Sequence, residues 1–180
     1  MSNSLVSIKA LLVGLTGLVI VAVGAVPALA NRPQTKTVCT WGGTPAAPSG
    51  TFQLNPGLTN TPAAGPLHLV ATGDLAGGGP CTGMLTFDGD MKPGSTCAAQ
   101  EFEGRVRGLP RVVRFWGRGV AGAVHEFMYD PAGNIVGADQ PQTSITDYPA
   151  DVIGCNSPEG LTLMTFSAVV ELFASNTGRQ

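Results

Sequence analysis

Short runs of alternating apolar and polar residues, separated by clusters of Gly, Pro, Asn and Asp, fill the chain from residue 67 onward. Successive side chains of a β-strand point to opposite faces, so this period of two is typical of strands with one buried face. With two shorter runs, near Cys39 and at 51–54, the pattern predicts about nine strands. The longer runs lie at 67–75, 82–87, 97–107, 111–118, 123–129, 134–138 and 161–173.

The segments between these runs carry turn signals. Gly and Asn tolerate a positive φ and Pro presets a bend, so Asp88-Gly89-Asp90, Pro110 and 130–134 are predicted turns that join antiparallel neighbours. The pattern therefore predicts an all-β fold, a single antiparallel β-sandwich, with a small closed β-barrel as the alternative. The Pro- and Gly-rich segment 42–65 is predicted to be a loop-rich part of this domain, with one strand in it.

The N-terminal segment has a different pattern, because Lys9 precedes an almost continuous apolar run over residues 10–29 that ends in Ala28-Leu29-Ala30. A basic start, an apolar middle and small residues before the cleavage point are typical of a secretory signal peptide. We expect a signal peptide at 1–30 and a single secreted β domain at 31–180, located outside the cell. The alternative is an uncleaved segment that anchors the protein in a membrane, because about twenty apolar residues can span a bilayer.

The four cysteines all follow the predicted cleavage site, and an even number of cysteines in an exported domain predicts two disulfides. Cys81 and Cys97 lie equally far from Gly89, so a hairpin at Gly89 would bring them together and leave Cys39 to pair with Cys155. No two cysteines form a C-x-x-C pair, and neither histidine has the spacing of a zinc ligand. The sequence therefore predicts structural cysteines, and neither a metal nor another cofactor.

Charge suggests a possible binding surface. Residues 31–180 carry nine basic and twelve acidic side chains, which gives no reason to expect a nucleic-acid partner. Five of the seven arginines nevertheless lie between residues 101 and 118, on two strands that should be neighbours. Together with an indole they form a candidate site for the phosphate or sulfate groups of an anionic polymer or glycan: Arg105, Arg107, Arg111, Arg114, Trp116 and Arg118.

A structural interpretation of these arginines is preferred over ligand binding. Exposed arginines that pair with Glu101, Glu103 or Glu126 would keep a sheet surface soluble and discourage edge-to-edge aggregation. The same argument leaves the partner of the domain open, with an extracellular anionic polymer or an envelope protein as the expected classes.

Catalytic chemistry has little support in the sequence. His68 and His125 are the only imidazoles, and both lie in strand-like runs without a recognisable triad or zinc motif. The conceivable carboxylate pairs are Asp88 with Asp90 and Glu101 with Glu103, which are also ordinary turn and surface residues. We therefore predict an exported, non-catalytic binding or structural module. The alternative is a small secreted barrel enzyme, which should have an enclosed cavity where a histidine meets a carboxylate.

Overall fold

Twelve strands and one helix make up the computed structural model, which describes residues 36–120, 123–141 and 149–174. The predicted signal peptide lies outside these residues. The strands are β1 Lys36–Trp41, β2 Gly43–Thr44, β3 Ala47–Pro48, β4 Gly50–Leu58, β5 Leu67–Gly77, β6 Gly83–Met91, β7 Ala99–Arg107, β8 Arg114–Val120, β9 Ala123–Tyr129, β10 Ile135–Pro141, β11 Leu161–Phe166 and β12 Ala168–Phe173. The helix, α1, is Pro149–Asn156 and precedes β11.

The main sheet is antiparallel and closes on itself. Strands β5 to β10 pair with their neighbours in chain order, β10 pairs with β12, and β12 pairs with β1. Residues 39–41 of β1 then pair with residues 75–77 of β5, which completes a barrel of eight strands. The other half of β5 pairs with β4, and β4 pairs with β11, so these two strands extend the barrel wall.

The prediction of an antiparallel all-β fold with two disulfides is confirmed, and the closed barrel, named as the alternative, replaces the sandwich. Closure depends on the eleven-residue β5, which has room for both β1 and β4 on the same side. It also depends on the run at 161–173, which forms two strands separated by Ser167, one against β4 and one against β1. Alternation alone does not distinguish the two folds, since each has one buried face per strand.

The barrel interior is filled mainly by apolar side chains. Phe87, Phe102 and Phe115 come from three consecutive strands and contact one another with ring centroids 5.4 to 5.8 Å apart. Each is at least 97% buried, and burial of a side chain of this size stabilises the fold by roughly 1.5 to 3 kcal/mol. Gly117 makes this packing possible, because a Cβ there would overlap the ring of Phe102.

The predicted turn at Asp88-Gly89-Asp90 is wrong, because these residues lie inside strand β6. Gly89 is needed for close approach rather than for a positive φ. A Cβ on it would overlap the backbone of β7, where Gly104 is its register partner.

The predicted disulfide pairing is wrong for the same reason. Cys81 and Cys97 flank the nine-residue β6 at opposite ends, about 30 Å apart at the usual rise per residue. The disulfides are Cys39–Cys81 and Cys97–Cys155, and each lies at a different end of the barrel. Two disulfides are consistent with an oxidising environment such as the extracellular space.

Other local elements agree with the sequence predictions in some places and differ from them in others. The run at 123–129 matches β9, whereas α1 was not expected from the sequence. The segment 42–65 contains the β2–β3 hairpin and the nine-residue β4, so it is more regular than its composition indicates. Within the described ranges, no helix is long and apolar enough to cross a membrane.

Candidate functional site

A cavity of about 60 Å³ lies inside one end of the barrel, near the starts of β7 and β9 and the ends of β6, β8 and β10. Most of its wall is apolar, and it includes five aromatic rings. These belong to Trp41, Phe52, Phe102, Phe115 and Phe166. Three polar side chains also line it, namely Gln100, Glu126 and Asp139.

Glu126 and Asp139, which we call the carboxyl pair, are placed in the cavity by strand alternation. Val124, Glu126 and Met128 share the inward face of β9, and Asp139 lies on β10 directly opposite Glu126 in the register. Both side chains are nearly inaccessible to solvent, with 5% of Glu126 and 3% of Asp139 exposed. The antiparallel ladder thus holds two acids side by side in apolar surroundings.

Burial changes the protonation of the carboxyl pair. Loss of hydration raises the pKa of Glu126 well above its ordinary value, and the negative charge of Asp139 raises it further. The pKa of Asp139 is raised to about 7, again mainly by burial, while its hydrogen bond with Glu126 opposes this increase. The directions of these effects assign the shared proton to Glu126, which donates it to Asp139.

At neutral pH the carboxyl pair therefore holds at least one proton, and Asp139 is close to the middle of its titration. A pair in this state can donate a hydrogen bond through one member and accept one through the other. It can also take up or release a proton near pH 7, which is the property that general acid–base catalysis uses.

One oxygen of the carboxyl pair has no partner. Oδ1 of Asp139 is buried and accepts no hydrogen bond from any residue in the described part of the chain. A buried polar atom without a hydrogen bond costs roughly 1 to 3 kcal/mol. The cavity therefore contains an acceptor that a bound molecule can satisfy.

The third polar side chain of the cavity is Gln100, which lies on β7 and is separated from the carboxyl pair by β8. Its register partner is Gly119, and a Cβ at that glycine would lie 2.9 Å from the Gln100 Nε2 atom. The absence of a side chain on Gly119 thus gives the Gln100 amide room beside the cavity.

The predicted arginine and tryptophan patch lies on the outer surface, on β7 and β8 as expected except for Arg111, which precedes β8. Arg105 and Arg114 are register partners on β7 and β8. Arg114 donates a hydrogen bond to Glu103 at 2.8 Å, and its guanidinium lies 4.2 Å from the ring centroid of Tyr129. Arg107 ends β7 and is exposed, like Arg105.

The remaining members of the patch also have neighbours on this surface. Trp116 donates its indole N–H to Glu101 at 3.1 Å, and its ring is stacked on Phe127 with a centroid distance of 6.1 Å. Arg118 is the register partner of Glu101. Arg111 precedes β8 with a φ of 69° and contributes to the lowered pKa of Asp130, whose main cause is a hydrogen bond from Asn134.

These contacts favour the structural interpretation for part of the patch, since the charge of Arg114 and the N–H of Trp116 already have partners. Glu126 was expected among the acidic partners of the arginines, and this expectation is wrong because it points into the barrel. Binding of an anionic polymer at the patch remains a prediction.

Neither histidine reaches the cavity. His68 lies on the outer surface, 3.4 Å from Asp90 and 3.7 Å from Asp88, and His125 is exposed on β9. The carboxylate pairs considered from the sequence also lie outside the barrel. The expected meeting of a histidine and a carboxylate is thus replaced by a meeting of two carboxyl groups.

The carboxyl pair was missed because β9 has apolar residues on both faces. Glu126 shares its parity with Val124 and Met128, but Phe127 and Tyr129 occupy the other face and are just as hydrophobic. The available signal was that the apolar residues Val124 and Met128 lie on the same face of β9 as Glu126. It becomes decisive only when β9 is known to pair with Phe115 and Gly117 of β8, which face the interior.

Within the described residues, no three His, Cys, Asp or Glu side chains are placed to hold a metal ion. Comparison of the chain with protein-family models, with curated proteins and with solved structures finds no match.

Proposed function

We propose that this protein is an exported binding module that holds a small molecule inside its barrel, at the carboxyl pair. The observation that carries the proposal is Oδ1 of Asp139, a buried acceptor on the wall of a largely apolar cavity that receives no hydrogen bond from the described residues. A ligand with a hydrogen-bond donor would satisfy that oxygen, and its apolar part would contact the surrounding rings.

The energetic cost of the carboxyl pair supports a role in binding. Replacement of buried charged or polar groups by well-packed apolar residues is often neutral or stabilising, so the fold does not need two acids in its interior. Both positions lie among apolar neighbours, where Leu or Met would fill the space. A ligand that pairs with the acids would explain why acidic residues occupy these two buried positions.

Export is the second part of the proposal. A signal peptide at 1–30 would deliver the chain to a compartment in which Cys39–Cys81 and Cys97–Cys155 persist. A disulfide at each end of the barrel would help to keep the cavity in shape outside the cell.

A small secreted enzyme is the second candidate, and the pKa of about 7 at Asp139 favours it. A carboxyl pair that shares a proton can act as a general acid and base toward a bound molecule. Binding is the preferred function because, among the described residues of the cavity wall, Gln100 is the only other polar side chain. An enzyme would also bind its substrate at the carboxyl pair. One experiment therefore tests what both candidate functions require, the binding of a small molecule in the cavity.

Methyl resonances of methionine provide that experiment. Met91 and Met164 line the cavity, whereas Met84 is 61% exposed on the outer surface and serves as an internal control. A library of small soluble compounds is titrated into the full-length exported protein with ¹³C-methyl-labelled methionine. We expect some compounds to shift Met91 and Met164 but not Met84, and to lose this effect in Asp139→Asn. A library that leaves both cavity methionines unchanged would contradict the proposal.

A further inference from the structure

We infer that the molecule held at the carboxyl pair is a small organic cation, an ammonium group with short alkyl or methyl substituents. This inference rests on the proposed function, since it names the class of ligand for the same cavity. Three properties of the cavity lead to it: its charge, its aromatic wall and its size.

The charge of the cavity is unbalanced. No lysine, arginine or histidine occurs among the described residues that line it, so the carboxyl pair faces no positive group in that part of the chain. Arg118 and His125 lie close in the sequence to the cavity wall but belong to the exposed outer surface. An ammonium ion would supply both the missing charge and the donor for Oδ1 of Asp139.

The aromatic wall favours the same class of ligand. The negative face of an aromatic ring attracts cations, and the attraction is stronger when the cation is removed from water. A cavity lined by both aromatic rings and a carboxyl pair therefore combines two preferences for an organic cation. A carboxylate ligand would instead bring a third acid next to two others, and it would be repelled.

The size of the cavity limits the ligand to a small head group. A cavity needs roughly 10 to 15 Å³ to hold one water-sized group, whose share of liquid volume is about 30 Å³, so about 60 Å³ accommodates roughly two to four such groups. That matches the nitrogen and the methyl groups of a methylated ammonium ion. A calcium ion fits less well, because it takes six to eight oxygen ligands and the wall offers the carboxyl pair and one amide.

The protonation of the carboxyl pair makes the inference testable through pH. Among the described residues of the cavity wall, Glu126 and Asp139 are the titratable ones. The neighbouring strands present Gln100 from β7, Gly117 and Gly119 from β8, and Val170 from β12 toward the interior, none of which ionises. A cation replaces protons at the pair and releases them to solvent, so its affinity should rise with pH, whereas a neutral ligand should not show this increase.

The experiment compares probes of similar size and different charge. Methylammonium and trimethylammonium chloride, each of which keeps an N–H donor, tert-butanol and sodium acetate are titrated at constant ionic strength into the labelled full-length protein at pH 5.5 and pH 8. We expect both ammonium ions to shift Met91 and Met164, with affinity at least about tenfold higher at pH 8. They should also bind at least about tenfold more tightly than tert-butanol or acetate at pH 8.

Two variants separate the site from general electrostatics. Asp139→Asn removes one charge with almost no change in shape, and should weaken the binding of the ammonium ions at least about tenfold. Asp90→Asn removes an exposed charge from the outer surface and should leave their binding unchanged. The pH comparison in the unmodified protein needs no variant, so a folding defect in Asp139→Asn would not remove the test.

The possible failures are distinguishable. If tert-butanol shifts the cavity methionines as strongly as the ammonium ions do, the cation inference is overturned while the proposed binding function stands. Equal affinity of the ammonium ions at both pH values, or in Asp139→Asn, also overturns it. If neither these probes nor the compound library affects Met91 and Met164, the proposed function fails with it.

Discussion

The two ends of the barrel differ in how they are closed. At the end near the β7–β8 connection, Leu109 and Val112 are buried and join the apolar core, and Cys39–Cys81 lies nearby. At the other end, Cys97–Cys155 links the β6–β7 connection to α1, but the interior keeps a cavity with two acids. The same strands thus provide a packed end that stabilises the fold and a polar end that can bind a ligand.

The largest expected effect concerns the polar end and its response to pH. Below about pH 7 the folded state keeps a second proton, on Asp139, whose pKa is raised to about 7 from the ordinary value of 3.8. Between these values the folded state binds more protons than the unfolded state, so the free energy of unfolding should fall as pH rises. The decrease caused by the carboxyl pair is on the order of 4 kcal/mol, and the raised pKa of Glu126 extends it to higher pH.

Urea denaturation between pH 4 and pH 8 measures this decrease. The double variant Glu126→Gln, Asp139→Asn should have a nearly flat profile over the same range, since neither amide titrates. Parallel profiles for the two proteins would show that the carboxyl pair does not cause the pH dependence.

The next largest effect on stability is expected at two leucines, one in the packed interior and one at the cavity. Leu85 is 1% exposed in the packed interior, whereas Leu54 lines the cavity. Leu85→Ala should lower the free energy of unfolding by about 3 kcal/mol, and Leu54→Ala by about 2 kcal/mol, because Leu54 already borders empty space and loses fewer contacts. Equilibrium denaturation at pH 5 gives both values, and a larger loss for Leu54→Ala would contradict the contrast between the two ends.

A smaller effect is expected at two glycines of β8. A Cβ at Gly117 would overlap the ring of buried Phe102, so Gly117→Ala should cost about 2 kcal/mol. A Cβ at Gly119 meets the end of the Gln100 side chain, which can move, so Gly119→Ala should cost less than about 1 kcal/mol. Thermal unfolding ranks the two variants, and equal losses would show that Gln100 is as rigid as Phe102.

The smallest effect on stability belongs to the outer surface. Exchange of Arg111, Arg114 and Arg118 for Ser should change the free energy of unfolding by less than about 1 kcal/mol, because exposed ion pairs contribute little. The same variant tests the predicted polymer site by its retention on an anionic matrix at low salt. Unchanged retention would remove that site from consideration and leave the cavity as the candidate.

Much of this fold was predictable from the sequence, because alternation is a local property. The run at 123–129 gives β9 its bounds, and the run at 67–75 gives most of β5. Barrel closure was not predictable, since it depends on pairing between residues far apart in the sequence, such as Trp41 with Leu75. The disulfide pairing was missed because one glycine, Gly89, was interpreted as a turn when it lies in a strand.

The candidate site was harder to predict than the fold. Its two acids are 13 residues apart in the sequence, and each lies among neighbours that do not reveal which face is inside. On β10, Gly137 and Pro141 lie on the same face as Asp139. They are hardly more hydrophobic than Ala138 and Gln140 on the other face, so the sequence does not indicate which face is buried. The register of Glu126 opposite Asp139 is what brings the site together, and register is a property of the whole sheet.

The order of the disulfides along the chain has a consequence for biosynthesis. Cys39 bonds to the next cysteine, Cys81, and Cys97 bonds to the next, Cys155, so the two covalent loops follow each other without overlap. A chain that emerges N-terminus first can complete the first loop before either cysteine of the second has appeared. Oxidation in order of appearance then gives both native bonds directly, with no need for thiol–disulfide exchange to correct them.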